Sequence, residues 1–145
     1  MVTIRQGAKQ DVNGALALLA QVKEAMTNKE WLYLDTPEEF RERMDSGRMR
    51  LWVAEDGDRL AGIFTAILPG TAETNYGWKL NLSRADLLRV VNMDTVAVHP
   101  DFRGKGLQRR LMRTAERELG PGKILLCTIH PDNRYSLHNA QSQGY

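Results

Sequence analysis

The apolar positions of this chain change period several times, and each change marks an element. Leu51-Trp-Val-Ala-Glu55 and Leu60-Ala-Gly-Ile-Phe-Thr-Ala-Ile-Leu68 are short apolar runs joined by Asp56-Gly57-Asp58. Asp-Gly between two such runs predicts a β-hairpin. Thr95 to Val98 reads as a further strand, broken by His99-Pro100-Asp101. From Leu107 the spacing turns helical, with Leu107, Leu111, Ala115 and Leu119 recurring at a period near four. Val2 to Arg5 predicts a first strand. After it, Val12, Ala15, Leu16, Leu19, Val22 and Met26 form one helical face that Asp11 is placed to cap. A second helix has Thr36 as N-cap, Pro37 in its first turn and Glu39 to complete a capping box; it runs to about Met44, with Gly47 as its stop.

Two stretches stand outside this pattern. The aromatics of Trp31-Leu-Tyr-Leu34 read first as packing the second helix onto the sheet, and alternatively as lining a pocket. Pro69 to Arg89 is polar, contains Tyr76 and Trp78, and holds a short helix signal near Ser83. A connection of this length inside a compact domain is commonly functional or unordered. A lid and a solvated decoration are both open readings.

Composition narrows the class without naming a chemistry. With 145 residues, 42% hydrophobic and 26% charged, residues 1–145 are expected to form one globular domain. A net charge of +2 does not argue for nucleic acid or a membrane surface. No apolar run is long enough to span a bilayer, and no secretory leader is read. The single cysteine, Cys127, excludes an internal disulfide and fits a reducing, cytoplasmic compartment. In an apolar strand it reads as a buried structural thiol. No metal site is expected.

Chemistry enters between the strand ending at Val98 and the helix opening at Leu107. Arg103-Gly104-Lys105-Gly106 puts two glycines where side chains would keep a ligand from the backbone. The first amides of the helix point outward with the positive end of its dipole, a site for a phosphate or pyrophosphate. By itself the pattern is weak, being neither a dinucleotide fingerprint nor a P-loop. Its context strengthens it: Val96-Ala-Val-His-Pro-Asp-Phe-Arg103 is echoed by Cys127-Thr-Ile-His-Pro-Asp-Asn-Arg134. Two strand-to-helix turns at one sheet edge form the usual crevice of an α/β protein.

These residues resemble the acyl-coenzyme A binding motif of the GNAT superfamily of N-acetyltransferases. The family's Arg/Gln-x-x-Gly-x-Gly/Ala is matched by Arg103-Gly104-Lys105-Gly106-Leu107-Gln108, with Gln108 in place of the last small residue. Asn133-x-x-Ser136 leading to Gly144-Tyr145 is similar to the family's second motif. The resemblance covers residues 90–145 by motif and 1–69 by architecture. It implies an α/β fold: a mixed, mostly antiparallel central sheet flanked by helices, with a splayed parallel strand pair forming the coenzyme crevice. It also implies acetyl-CoA as donor substrate and an amine acceptor that attacks the thioester directly. Val96, Ala97 and Val98 would lie along the pantetheine arm, with the backbone of Val96 and Val98 pairing like an added strand. Amides from Arg103 through Gln108 would hold the pyrophosphate, Lys105 and Arg109 would add charge, and Asn133 would bind the coenzyme arm.

Acetyl transfer needs a neutral amine. With a pKa near 10.4, reaching that form at pH 7 costs about 4–5 kcal/mol, and a nearby carboxylate can take up the proton. Asp94, on the strand before the phosphate loop, is the candidate base, with Glu55 as second choice. The resembling family often carries a glutamate two residues earlier, where this chain has Asn92. The family's thiolate-protonating tyrosine position holds Ala140, so Tyr135 is the candidate acid, with His138 as alternative. The family also continues past Gly-Tyr with two more strands. The chain is therefore expected to be C-terminally short, with an exposed sheet edge through which a homodimer could form. Two other readings stay open: a coenzyme-binding module without turnover, and an interaction domain using the stripe Arg109, Arg113 and Arg117. The latter has no aromatic interleaving to favour nucleic acid.

Overall fold

In a computed structural model describing residues 1–145, five strands form one sheet in chain order: β1 (Thr3–Gln6), β2 (Met49–Asp56), β3 (Arg59–Ile67), β4 (Val90–Val98) and β5 (Ile124–Leu126). The first four pair antiparallel, and β4 with β5 is parallel. The helices are α1 (Val12–Glu24), α2 (Pro37–Asp45), α3 (Arg84–Leu87), α4 (Leu107–Leu119) and α5 (Arg134–Ser142). The expected α/β class, with a mostly antiparallel sheet between helices, is the observed one.

Alternation along the strands builds a core on each face. On one side Trp52, Phe64, Val91 and Met93 pack with Leu107, Leu111, Met112, Ala115 and Leu119 of α4. On the other, Leu51, Val53 and Ile63 meet Val12, Leu18 and Leu19 of α1 and Phe40 of α2. Each fully buried leucine contributes about 1.5–3 kcal/mol, so the period read from Leu107 to Leu119 fixes α4 on the sheet. Gly62 lets that helix approach: a Cβ there would lie 3.0 Å from the Ala97 carbonyl oxygen and 3.2 Å from Leu111.

One irregularity organises the functional end. Thr65 pairs with Thr95 and Ala66 with Met93, so Asp94 is an extra residue with no partner on β3. Such a bulge bends the strand and shifts side-chain parity. Val91 and Met93 face the α4 core before it, and Val96 and Val98 pack against the same core after it, while Ala97 turns to the other face. On the opposite edge, β5 follows β4 only from Val90 to Asn92 before the strands part.

The local signals hold except at two residues, Asp11 and Cys127; the cysteine, expected to be buried in a strand, falls just past β5, partly exposed and lining a cleft. Glu39 N–H donates to Thr36 Oγ1 at 3.1 Å and Thr36 N–H to Glu39 Oε1 at 3.4 Å, the expected capping box. Ser83 caps α3 through Asp86 N–H at 3.2 Å. Asp11 does not cap α1 with its side chain. Its carboxylate turns back to Ala8 N–H at 2.7 Å and to the Arg5 guanidinium at 2.8 and 2.9 Å, a stronger charge-assisted pairing.

Candidate active site

Where β4 and β5 part, a cleft of about 780 Å³ runs from Asp94 along Val96, Ala97 and Val98 to the loop before α4 and to α5. Gly104 and Gly106 adopt φ of +77° and +72°, which disfavours any side chain, and a Cβ at either would meet nothing within 4 Å. Their conformation aims the chain's amides outward. The N–H groups of Gly104 through Arg109 have no backbone acceptor, and the carbonyl of Gly106 takes up only the amide of Arg110, at 3.1 Å. Consecutive unpartnered amides at a helix N-terminus form a cradle for a phosphate. The Arg103 amide is not part of it, because it donates to Pro100 O at 3.4 Å; Arg109 extends the cradle instead.

The two His-Pro-Asp turns are built alike. His99 Nδ1 accepts from Asp101 N–H and His130 Nδ1 from Asp132 N–H, both at 3.1 Å. Each turn delivers a helix start to the cleft. Asn133 caps α5 by accepting from Ser136 N–H at 3.3 Å, and its amide group has no protein acceptor. The Tyr145 hydroxyl donates to Glu116 at 2.5 Å, and the ring packs under α4 beside the cleft floor. Burial, then Glu116, hold that phenol far above its ordinary range.

A second cavity, of about 790 Å³, opens against Thr65 and Asn92 of the sheet, beside α2. Residues 31–35, α2, and Pro69 to Lys79 wall it. Trp31, Leu32, Asp94, Thr95 and Thr128 line both cavities and form the seam between them. Asp94 is exposed at the seam and lines both concavities. Crowding by protein atoms holds its carboxyl above the usual carboxylate range; the Asp35 charge adds to this, and the hydroxyls of Thr95 and Thr65 and the Arg43 charge oppose it. Both hydroxyls bond the same oxygen, Oδ2, at 3.2 and 3.3 Å. Oδ1 has no protein partner.

The basin carries the carboxylates of Asp35, Glu39, Glu42, Glu73 and Asp94 against Arg43, Arg48 and Lys79. Arg43 is bound to Asp35 at 2.7 Å, so the remaining lining is predominantly acidic. The Trp31 ring stacks on His130 at 5.6 Å, tying the segment before α2 to the loop after β5.

A family model described as the acetyltransferase (GNAT) family matches residues 18–145. The chain belongs to the GNAT acetyltransferase family. No curated protein matches it in sequence. Among solved structures, the aminoglycoside N-acetyltransferase AAC(6′)-Iy in complex with a bisubstrate analogue, CoA-S-monomethyl-acetylneamine, is similar with a TM-score of 0.73 at 18% identity, covering 100% of this chain and 90% of that one. An aminoglycoside acetyltransferase from an uncultured soil metagenomic sample, in complex with sisomicin, gives 0.69 at 17% identity, over 99% and 88%. Diaminobutyrate acetyltransferase EctA from Paenibacillus lautus, with L-2,4-diaminobutyric acid and coenzyme A, gives 0.71 at 14%, over 99% and 74%. At these identities the likeness is one of fold.

Within this GNAT fold the residues read from sequence fall in three groups. Val96, Ala97, Val98, Arg103, Gly104, Gly106, Leu107, Gln108, Arg109 and Asn133 all line the cleft. Lys105 stands just outside, its ammonium 5.7 Å from the Phe102 ring centre. Arg109 lies in the cleft, with its guanidinium bonded to Ser142 of α5 at 2.7 Å. Tyr135 lines the cleft wall, 75% exposed. Glu55 is removed from both cavities and pairs with Arg5 at 2.6 Å, so the second-choice base does not meet the site. In Trp31-Leu-Tyr-Leu34 it is Leu32 and Leu34, not the two aromatics, that pack on the core; Tyr33 is 78% exposed, and all four residues line the basin. The 69–89 segment is a basin wall, and its Tyr76 reaches the neighbourhood of Asp94 and Thr128. Sequence marked Tyr76 only as an aromatic in a polar stretch. Asn92, which holds that segment, was marked only as a departure from the family's glutamate.

Proposed function

We propose that this GNAT chain transfers the acetyl group of acetyl-CoA to a primary amine, with Asp94 as the base. The observation that carries the reading is the seam: a phosphate-cradling cleft and an acidic basin meet at a carboxylate whose Oδ1 is free. The donor would lie with its pyrophosphate on the amides of Gly104 to Arg109 and its pantetheine along Val96 to Val98. Lys105 and Arg109 supply positive charge, and the free amide group of Asn133 supplies a donor to the coenzyme arm. The amine nitrogen attacks the thioester carbonyl; the N–C bond forms, the C–S bond breaks, and Asp94 takes one amine proton. The departing thiolate is then protonated, by Tyr135 if the coenzyme's sulfur lies near it or otherwise by solvent. An elevated carboxyl pKa suits this step, since it narrows the gap to the amine it must deprotonate.

The acidic lining favours an acceptor with more than one cationic group. The aminoglycosides and L-2,4-diaminobutyric acid named for the neighbouring structures are of that kind. We assign the activity to the cytoplasm, because the one cysteine has no disulfide partner; no helix is long and apolar enough to cross a membrane. β5 has a strand on one side only, and pairing of two copies there would give a homodimer, which light scattering would detect.

The test is thiol release from acetyl-CoA with sisomicin, neamine, L-2,4-diaminobutyrate and putrescine, beside calorimetric titration with coenzyme A. Binding of coenzyme A with amine-dependent thiol release supports the reading. Coenzyme binding without thiol release for any amine would instead mark a coenzyme-binding module.

A further inference from the structure

Resting on the acetyl-transfer reading, we infer that Tyr76, carried by the 69–89 segment, is the second protein contact of the acceptor amine, opposite Asp94. The segment is pinned to the sheet by its backbone at Thr74 and Tyr76. Asn92 of β4, 3% exposed, accepts from Tyr76 N–H through Oδ1 at 3.2 Å and donates through Nδ2 to Thr74 O at 2.9 Å. Asn75, 2% exposed, folds the segment around itself, donating to Gly70 O at 2.7 Å and Leu87 O at 3.0 Å and accepting from Gly77 N–H at 2.7 Å. Two buried amides with all their partners inside one short segment fix its register on the sheet.

The pinned residue faces the chemistry. Tyr76 is half-buried and lines the basin with Asp94, Thr95 and Thr128. Burial, then the nearby Asp94 charge, keep its phenol above the ordinary range, so it is protonated throughout the working pH; the Thr128 side chain beside it opposes the shift. A protonated phenol oxygen still carries lone pairs that can accept an N–H from a group in the basin.

The stoichiometry of the nucleophile asks for such a group. A neutral primary amine that aims its lone pair at the thioester has two N–H bonds to place. One meets the free Oδ1 of Asp94, and that proton is transferred. The other is left without an acceptor on the carboxylate side, because Oδ2 is held by Thr65 and Thr95. Tyr76 Oη takes it. Holding both N–H groups orients the lone pair, the geometric requirement for attack.

The experiment compares the chain with Tyr76→Phe, which keeps the ring and removes the oxygen. Each amine of the panel that turns over is assayed beside its N-methyl derivative, which has one N–H fewer. The expected result is a fall in kcat/KM for primary amines of about tenfold or more, the size of a lost hydrogen bond to a reacting group. The affinity for coenzyme A is expected to be unchanged. The preference for a primary amine over its N-methyl form is expected to shrink several-fold in the variant, because the second N–H has lost its acceptor. A lower rate with that preference intact would overturn the contact and leave only a wall-forming tyrosine. Equal rates in the two proteins would overturn it while leaving acetyl transfer standing. No turnover of any amine by the unaltered chain would overturn both.

Discussion

The donor cleft and the acceptor basin have nearly the same volume but are built by opposite means. The cleft's phosphate cradle and strand edge are assembled from backbone: two left-handed glycines, a run of unpartnered amides and the freed edge of β4, all within Val96 to Arg109. The basin is assembled from side chains on distant segments: the stretch before α2, α2 itself, the sheet, and Pro69 to Lys79. A backbone site needs one conformation and accepts a limited ligand chemistry. A side-chain site can change its ligand with its lining while the fold stays fixed. The three neighbouring structures, alike in fold and different in the amines named with them, fit that division.

Substitutions should separate the two halves. The largest effect is expected at the seam. Asp94→Asn should lower kcat about 10²–10⁴-fold, the usual range for removing a general base, with coenzyme affinity unchanged in calorimetry. Next comes the cleft. Gly106→Val forces a β-branched side chain into φ of +72°, a strain of about 1–3 kcal/mol. It should weaken coenzyme A about 10- to 100-fold, and amine binding at the basin should survive. Smaller is a basin charge reversal, Glu73→Lys, expected to raise KM for dicationic amines several-fold in a manner that fades with added salt, with KM for acetyl-CoA unmoved.

A last consequence concerns stability. Asp94 is held above the carboxylate range in the fold, so between its unfolded value, near 3.9, and its folded value the native chain binds the proton more tightly. Stability contributed by that proton is present at low pH and is lost as pH rises through the folded pKa. Asp94→Asn removes the penalty of the crowded charge. Denaturation midpoints should then favour the variant at pH 7 and converge with the parent at pH values below the unfolded pKa.

What could be read from the chain follows the same division. Gly104 and Gly106, the Thr36–Glu39 box and the α4 stripe are local demands written in neighbouring residues, and each was legible. Asp11 misled because Arg5, six residues earlier, offers its carboxylate a better partner than the helix amides. The bulge at Asp94 exists only as a register against β3, so no pattern within β4 could announce it. Tyr76 and Asn92 are sixteen residues apart and acquire meaning through one hydrogen bond between the sheet and the 69–89 segment. Sequence therefore exposed the half proposed to hold the donor and concealed much of the half proposed to select the acceptor.

The central claim, that both halves meet at Asp94, is tested most directly by titrating that carboxyl with ¹³C-aspartate NMR, alone and with coenzyme A bound. The expected result is a pKa above the free-carboxylate value near 3.9, rising further as the coenzyme displaces water from the cleft. An ordinary pKa that the coenzyme leaves unmoved would contradict the claim.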